Sequence, residues 1–290
     1  MATGATEFID STTADVFIPE IWSALAIVAR EARLVFANLV DRRYEDSLRF
    51  GDTIHVPSIG NLTAQTKTKA SNSAIVYETV TETNVDITIA TWEYSAIAVE
   101  SIVKVQGNRD LLKAYAGKMG FALDLAVDDV VAGLVDDFGN AVGTLGTPVS
   151  YVDWLRARQY LDDANAPEED RVMVISPAEE SNTMQLDHFI NNDYSVLRNG
   201  TGGQTGDSSK GFIGRWLGMP IHKSTNVEGS NAAGHDNAMF QKQALCLVMQ
   251  MKPTSHSMYD IDFFVDKVAM ETLYGSREMR DDHGVFVRGA

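Results

Sequence analysis

Between residues 108 and 139 the apolar positions Leu112, Tyr115, Met119, Leu123, Val127, Val130, Leu134 and Phe138 recur every three or four residues. That spacing predicts one face of a long helix. At 1.5 Å per residue the helix would run roughly 45 Å, more than a compact core needs, so the expectation is a beam with other elements strung along it. Gly117, Gly120 and Gly133 interrupt it, each at a cost of about 1 kcal/mol relative to Ala. Two readings stay open for these glycines: ordinary helix noise, or close approach by another element or another subunit.

The rest of the chain punctuates itself around this beam. Residues 1–17 are small and polar and predict a loosely held arm. From Pro19, the positions Ile21, Leu25, Val28, Ala32, Val35 and Leu39 predict a first amphipathic helix, and Gly51-Asp52 introduces a short strand, TIHVPSIG. Residues 61–84 are rich in Thr, Ser, Asn and Lys and predict a long, two-stranded polar hairpin projecting from the body. Its return strand alternates from Val85 to Ala96 with a one-residue shift. Beyond the beam, 149–167 predicts a helix closed by Pro167, 171–177 a buried strand, and AEESNTMQLDHFINN a further helix. A Gly/Ser loop at 199–211 precedes a strand with turn residues at 211–227 and a buried strand from Ala244 to Met251. The end is strand-rich, with a turn near Asp281–Gly284, and no internal repeat is visible.

Composition narrows the function. A 44% hydrophobic content over 290 residues suffices for a core. The 40 acidic against 24 basic residues give a net charge of -16, which argues against an electrostatic grip on nucleic acid or anionic membrane. Residues 1–29 carry no Lys or Arg, so no secretory n-region is expected, and IWSALAIVA at 21–29 is too short to span a bilayer. A soluble, non-exported protein follows. The one cysteine, Cys246, sits in an apolar run and fits a core position in a reducing compartment.

Candidate chemistry is thin. The loop GTGGQTGDSSKG places Asp207, not Lys, after Gly206, and an anion there would repel phosphate. The six His never pair at zincin spacing, Asp281-Asp282-His283 reads as a solvated turn, and no G-x-S-x-G elbow occurs. The acid pairs Asp128-Asp129 and Asp136-Asp137 predict solvent-facing positions, since adjacent helical residues point to different faces. Asp136 and Asp137 fall at the helix C-terminus, where the macrodipole disfavours negative charge. A Lys or Arg from another lobe or subunit is expected beside them.

An arm, a projecting hairpin and a beam describe a protein that makes contacts. The helix FIPEIWSALAIVAREARLVFANLV followed by RFGDTIHVPSIGNLTA resembles the opening of the major capsid proteins of tailed bacteriophages, the Hong Kong 97-like fold. GFIGRWLGMPIHKSTNV, the apolar ALCLVMQM strand and the closing ETLYGSREMRDDHGVFV are similar to further segments of those proteins in the same order. The ordered set covers nearly the whole chain; no single motif is specific.

The resemblance implies an α+β fold with an N-terminal arm and first helix (1–45), an extended loop (46–91), a peripheral domain carrying the spine helix (92–144), an axial α/β domain (145–251) and C-terminal strands returning to the peripheral domain (252–290). It implies no enzyme and no cofactor or metal. The chain's expected partner is itself, in hexamers and pentamers of an icosahedral shell around DNA held by weak, nonspecific contact. A separate scaffolding protein, a portal and a decoration protein are further partners, in a virion assembled in the host cytoplasm. Interface candidates are Phe17, Trp22, Lys67, Lys69, Tyr77, Gly117, Gly120, Asp136 and Asp137. Some family members crosslink loop Lys to a neighbour's Asn; surface Lys on a polar hairpin more usually protects its edges, so no crosslink is expected. A cellular nanocompartment shell of the same fold and a soluble α/β enzyme with a site in 145–250 are the alternatives.

Overall fold

The computed structural model describes residues 34–45, 50–60, 62–67, 74–75, 77–80, 82–102, 111–186 and 212–290. The chain divides into two units, Met1–Glu31 and Ala32–Ala290, and every described residue belongs to the second. The arm with Phe17 and Trp22, most of the first helix, Lys69 and the Gly/Ser loop lie outside the described residues. Of that helix, α1 (Phe36–Leu39) is described.

β1 (Thr53–Ile59) and β2 (Glu82–Thr88) pair antiparallel, from Thr53 opposite Thr88 to Ile59 opposite Glu82. The alternation expected as one return strand proves to be two strands in different sheets. Its one-residue shift is where the chain leaves β2 and enters β3 (Thr91–Glu100). β3 pairs with β11 (Val265–Glu278), and β11 with β10 (Leu245–Asp260), in a three-stranded antiparallel sheet.

The beam is α2 (Leu111–Gly133), which tightens into a 3-10 turn over Leu134–Asp137 instead of continuing to 139. Its buried row is Met119, Leu123, Val127, Val131 and Val135, while Tyr115 and Val130, expected on the core face, point outward. A strict four-residue row drifts about 40° per step around a 3.6-residue helix, so the apolar stripe winds away from where a straight face would lie.

A third sheet has seven strands. β4 (Asn140–Gly143), β12 (Gly284–Gly289), β9 (Gly234–Gln241), β5 (Arg171–Ile175), β7 (Met219–Lys223) and β6 (Phe212–Trp216) lie side by side in that order, and β8 (Gly229–Ser230) pairs with β9. All five residues of β5 are buried, as a strand covered on both faces requires. Its side chains alternate between two cores. Val172 and Val174 join Phe36, Val127, Val131 and Phe240 under α1 and α2. Met173 and Ile175 join Trp154, Leu161, Met239 and Val287 under α3 (Tyr151–Asp163). Ser150 caps α3 reciprocally with Asp153, each satisfying an N–H that the helix start leaves open.

Several expected boundaries move. β10 runs through the predicted break at residue 251, and Pro253 is accommodated at a register shift between Met251 and Thr254, where a bulge on an edge strand removes the need for its N–H. β4 and β12, expected with the peripheral segments, lie in the seven-stranded sheet: β12 is parallel to β4 and antiparallel to β9. Gly284 is what lets β12 enter there, since a Cβ on it would collide with the Phe138 ring. The described part of the helix expected from residue 178 is the short α4 (Pro177–Thr183). β9 occupies a stretch whose opening GHDN gives no apolar run.

Candidate functional site

Side chains left over from the two cores gather on open surfaces. The stem of the extended loop is rooted by Ile87, buried with Ile89, Cys246 and Val248 and flanked by Ile54 and Val56. Above it, the described parts of 60–81 form no strand, so among the described residues the ladder is confined to the stem. Glu78 ties the two legs, accepting from the Thr63 N–H (3.0 Å) and hydroxyl (2.8 Å). Leu62, Ile75 and Val80 are exposed, Tyr77 is 84% exposed, and Lys67 also faces solvent.

The outer face of the three-stranded sheet is equally bare. Trp92 is 67% exposed, with Tyr94 beside it. The Trp92 indole N–H donates to Glu271 Oε2 (2.8 Å), and Glu271 Oε1 lies 3.0 Å from His256 Nε2, a polar row across all three strands. Next to that row, Ala96, Ala98 and Ala269 leave a depression of about 450 Å³ rimmed by Met258 and Lys267. At the β10–β11 turn Ile261, Phe263 and Phe264 stand in solvent. Phe264 has φ 52°, a conformation rare for a bulky residue. Large exposed apolar patches are characteristic of contact sites in general.

Asp128 was expected to face solvent and is fully buried instead. Its carboxylate accepts from the Ala37 N–H (2.9 Å) and the Asn226 amide (2.9 Å), joining α1, α2 and the loop after β7. Burial raises its pKa against these hydrogen bonds, which lower it. The signal for this role was legible: Asp128 stands three and seven positions before Val131 and Val135, on the core row. Glu179 is a second buried carboxylate, accepting from the N–H groups of Val149 (3.1 Å) and Ala290 (3.2 Å). No spacing in the sequence singles it out.

Asp136 and Asp137 are exposed on the 3-10 turn that ends the beam. Burial raises the Asp136 pKa, and the positive charge of Arg288 opposes it. That arginine, on β12 of the same chain, also lies 3.5 Å from Asp236. Nothing within the described chain crowds Gly117 or Gly133, and at Gly120 a Cβ would make an ordinary 3.7 Å contact with Met270 Cε. Close approach to the helix glycines therefore does not come from the described parts of this chain.

A cavity of about 640 Å³ is lined by Arg158, Arg171, Arg215, Lys242 and three acids, with no Ser, Thr, Cys or His. The Arg171 guanidinium is spent on Asp162 and the carbonyls of Ala166 and Pro167. The Cys246 thiol is pushed up to about 12 by burial, so it holds its proton at neutral pH. Among the described residues no group of three or more His, Cys, Asp or Glu can hold a metal ion, and no helix is long and apolar enough to cross a membrane.

No family model matches the chain, and no curated protein matches it. Solved structures do. The chain is similar to a structure from Mycobacterium phage Che8 with a TM-score of 0.77 and 26% identity, over 93% of this chain and 97% of that one. The capsid structure of the cyanophage P-SCSP1u matches with a TM-score of 0.70 at 17% identity, over 96% of this chain and 94% of that one. The capsid of Ralstonia phage GP4 matches with a TM-score of 0.67 at 14% identity, over 99% and 98%. The chain has the α+β fold of these phage structures, as the order of its segments implied.

Proposed function

We infer that the chain is the major capsid protein of a tailed bacteriophage, a structural protein that assembles with itself into the hexamers and pentamers of an icosahedral shell around double-stranded DNA. The observation that carries this is the likeness of nearly the whole chain to phage capsid structures, with a TM-score of 0.70 over 96% of its length in one case. Its action is association and not catalysis. The bare loop with Leu62, Ile75 and Tyr77, and the bare sheet face with Trp92 and Tyr94, support a reading in which the loop of one copy lies along the sheet and spine helix of the next. Tyr77 and Lys67 then belong to the interface, with Gly117 and Gly120 beneath the incoming loop, and Phe17, Trp22 and Lys69 contribute from the arm and loop tip.

On this reading the three-stranded sheet and α2 make the peripheral part and the seven-stranded sheet the axial part. A separate scaffolding protein, a portal and a decoration protein are the further partners, and assembly takes place in the host cytoplasm. The net charge of -16 supports weak, nonspecific contact with the packaged DNA, since phosphate affinity rises with the number of basic groups engaged. Negative-stain microscopy of the purified protein under assembly conditions is the test. Shells, rings or sheets are expected, and a field of dispersed monomers would sink the reading. Nuclease-protected DNA inside native particles separates a genome shell from a cargo compartment of the same fold.

A further inference from the structure

The turn that joins β10 to β11, residues 261–264, has a composition at odds with its place. Connections between strands favour Gly, Asn, Asp and Pro. Here five of the seven residues 258–264, namely Met258, Tyr259, Ile261, Phe263 and Phe264, are large apolar side chains in solvent, with Ile261 71% and Phe263 72% exposed. Ile102, also exposed, follows Ser101, whose N–H and hydroxyl both donate to the Phe264 carbonyl at 2.9 Å. The backbone of the turn is held in place. The Asp260 carboxylate accepts from the Asp262 N–H (3.0 Å) and from Lys267 Nζ (2.5 Å), and the Lys267 ammonium stands 5.6 Å from the centre of the Phe263 ring. The Ser101 hydroxyl lies 3.3 Å from that of Tyr259. Phe264 is kept at φ 52°, which a bulky residue adopts only where its surroundings impose it. An apolar cluster carried on a backbone fixed in advance pays little ordering cost on contact, as an interface anchor should.

We propose that this turn is a contact between copies of the chain, in which the turns of neighbouring copies pack tip to tip. The inference rests on the reading of the chain as a self-assembling shell protein. It adds a contact separate from the extended loop, whose stem is rooted at the Cys246 end of β10 while the turn lies at the other end. The area is sufficient. The six exposed side chains leave roughly 600 Å² of apolar surface per copy, so a pair of turns would bury about 1,200 Å², the lower limit for a specific, stable interface. A cluster at the tip of a hairpin is convex, and copies related by a closed rotation bring such tips together so that each covers the next. The charges suit an apolar centre. Asp260 and Lys267 satisfy each other within one chain, and within the turn itself only Asp262 carries an exposed carboxylate, with no ion pair among the described residues. Turns that meet bring these carboxylates near one another, so the contact should strengthen as salt screens them.

The test uses the full-length protein under conditions in which the wild type forms particles. Phe263→Ser should leave subunit melting unchanged, because the ring is in solvent, and lower the fraction sedimenting as particles about tenfold or more. Ile261→Cys reads the contact directly. Since Cys246 is buried, a short bis-maleimide added to Ile261→Cys particles should give a dimer band on a denaturing gel, and added to unassembled subunits should give monomer. Asp262→Asn should raise the assembled fraction at low salt, whereas a fall would mean that the turn meets a basic surface instead of its own kind. A normal assembled fraction in Phe263→Ser, a monomer band alone from Ile261→Cys particles, or that fall would overturn the proposal, while wild-type particles would keep the self-assembly reading. If Phe263→Ser does not fold, the other two variants decide. A wild type that forms no particles would remove the reading and the proposal together.

Discussion

In the seven-stranded region Trp154 is wholly enclosed, with its ring edge-on to Trp216 at 6.1 Å. In the three-stranded region Trp92 leaves 67% of its surface in water. The first sheet is covered on both faces, by α1 and α2 on one side and α3 on the other. Among the described residues the second is packed by α2 on one face, and on the other only at its Cys246 and Val248 end, by Ile87 and Ile89 of the loop stem. A large aromatic side chain left in water forgoes a burial worth about 1.5–3 kcal/mol, and the loop and the β10–β11 turn repeat that choice with Tyr77 and Phe263. Among the described residues one region is finished, and the other leaves its large aromatic side chains open.

The strongest way to break this contrast is to truncate a side chain in the finished region. Trp154→Ala removes a fully buried ring from the core shared by β5, β9, β12 and α3, and should destabilise the subunit by about 3–5 kcal/mol in urea titrations. A loss below about 1 kcal/mol would mean that the core re-forms without it, and the seven-stranded region would not be the self-sufficient part.

Asp128 sharpens the contrast from inside, because it fastens α1 and the loop after β7 to the spine helix. Asp128→Ala leaves two buried donors unmatched and should cost about 2–4 kcal/mol, while Asp128→Asn, which keeps one acceptor, should cost about half as much. The pH dependence has a definite sign. Because burial raises the folded pKa above 3.8, the group's contribution is complete below that value and declines as pH rises through the raised one. Denaturation midpoints of Asp128→Asn measured against wild type across acid pH should lose this decline, and a parallel pair of profiles would contradict it.

How far these regions were legible in the sequence follows from the same contrast. Patterns that repeat along one element were readable: the spine helix from its apolar spacing, β5 from RVMVI, α3 from its run to Pro167. What depended on which element lies opposite was not. The chain changes sheets between Thr88 and Thr91, a step that in sequence looks like a bulge within one strand. β12 sits between β4 and β9 because Gly284 clears the Phe138 ring, a contact between residues 146 positions apart. Tyr77 and Lys67 were placed on the predicted projecting hairpin and are exposed there, whereas Trp92 was one position in an alternating strand. Which face of β3 is covered is decided by α2, which the alternation does not contain.

On the open face the expected effects on the subunit shrink and change kind. Trp92→Ala and Tyr77→Ala should each alter subunit stability by less than about 1 kcal/mol, yet lower the fraction of protein sedimenting as large assemblies by tenfold or more if either anchors a contact, as buried aromatic anchors do. An unchanged assembled fraction in both variants would mean that the exposed aromatics are not where copies meet. A subunit destabilised as much by Trp92→Ala as by Trp154→Ala would erase the contrast altogether.

The smallest effect separates two uses of the spine helix. Gly117 has open space within the described chain, so Gly117→Ala should stabilise the isolated subunit by about 0.5–1 kcal/mol through helix propensity alone. If the loop of a neighbouring copy lies against that turn, the same methyl group must weaken assembly while it strengthens the fold. Subunit melting and sedimentation measured on one preparation therefore give opposite signs when the glycine is kept for a neighbour, and the same sign when it is an unoptimised helix position. Gly120→Ala is the internal control for the first measurement, because its added Cβ makes an ordinary contact with the flexible end of Met270. It should track Gly117→Ala in stability, and a divergence between the two in assembly alone would fix which turn of the helix the neighbour touches.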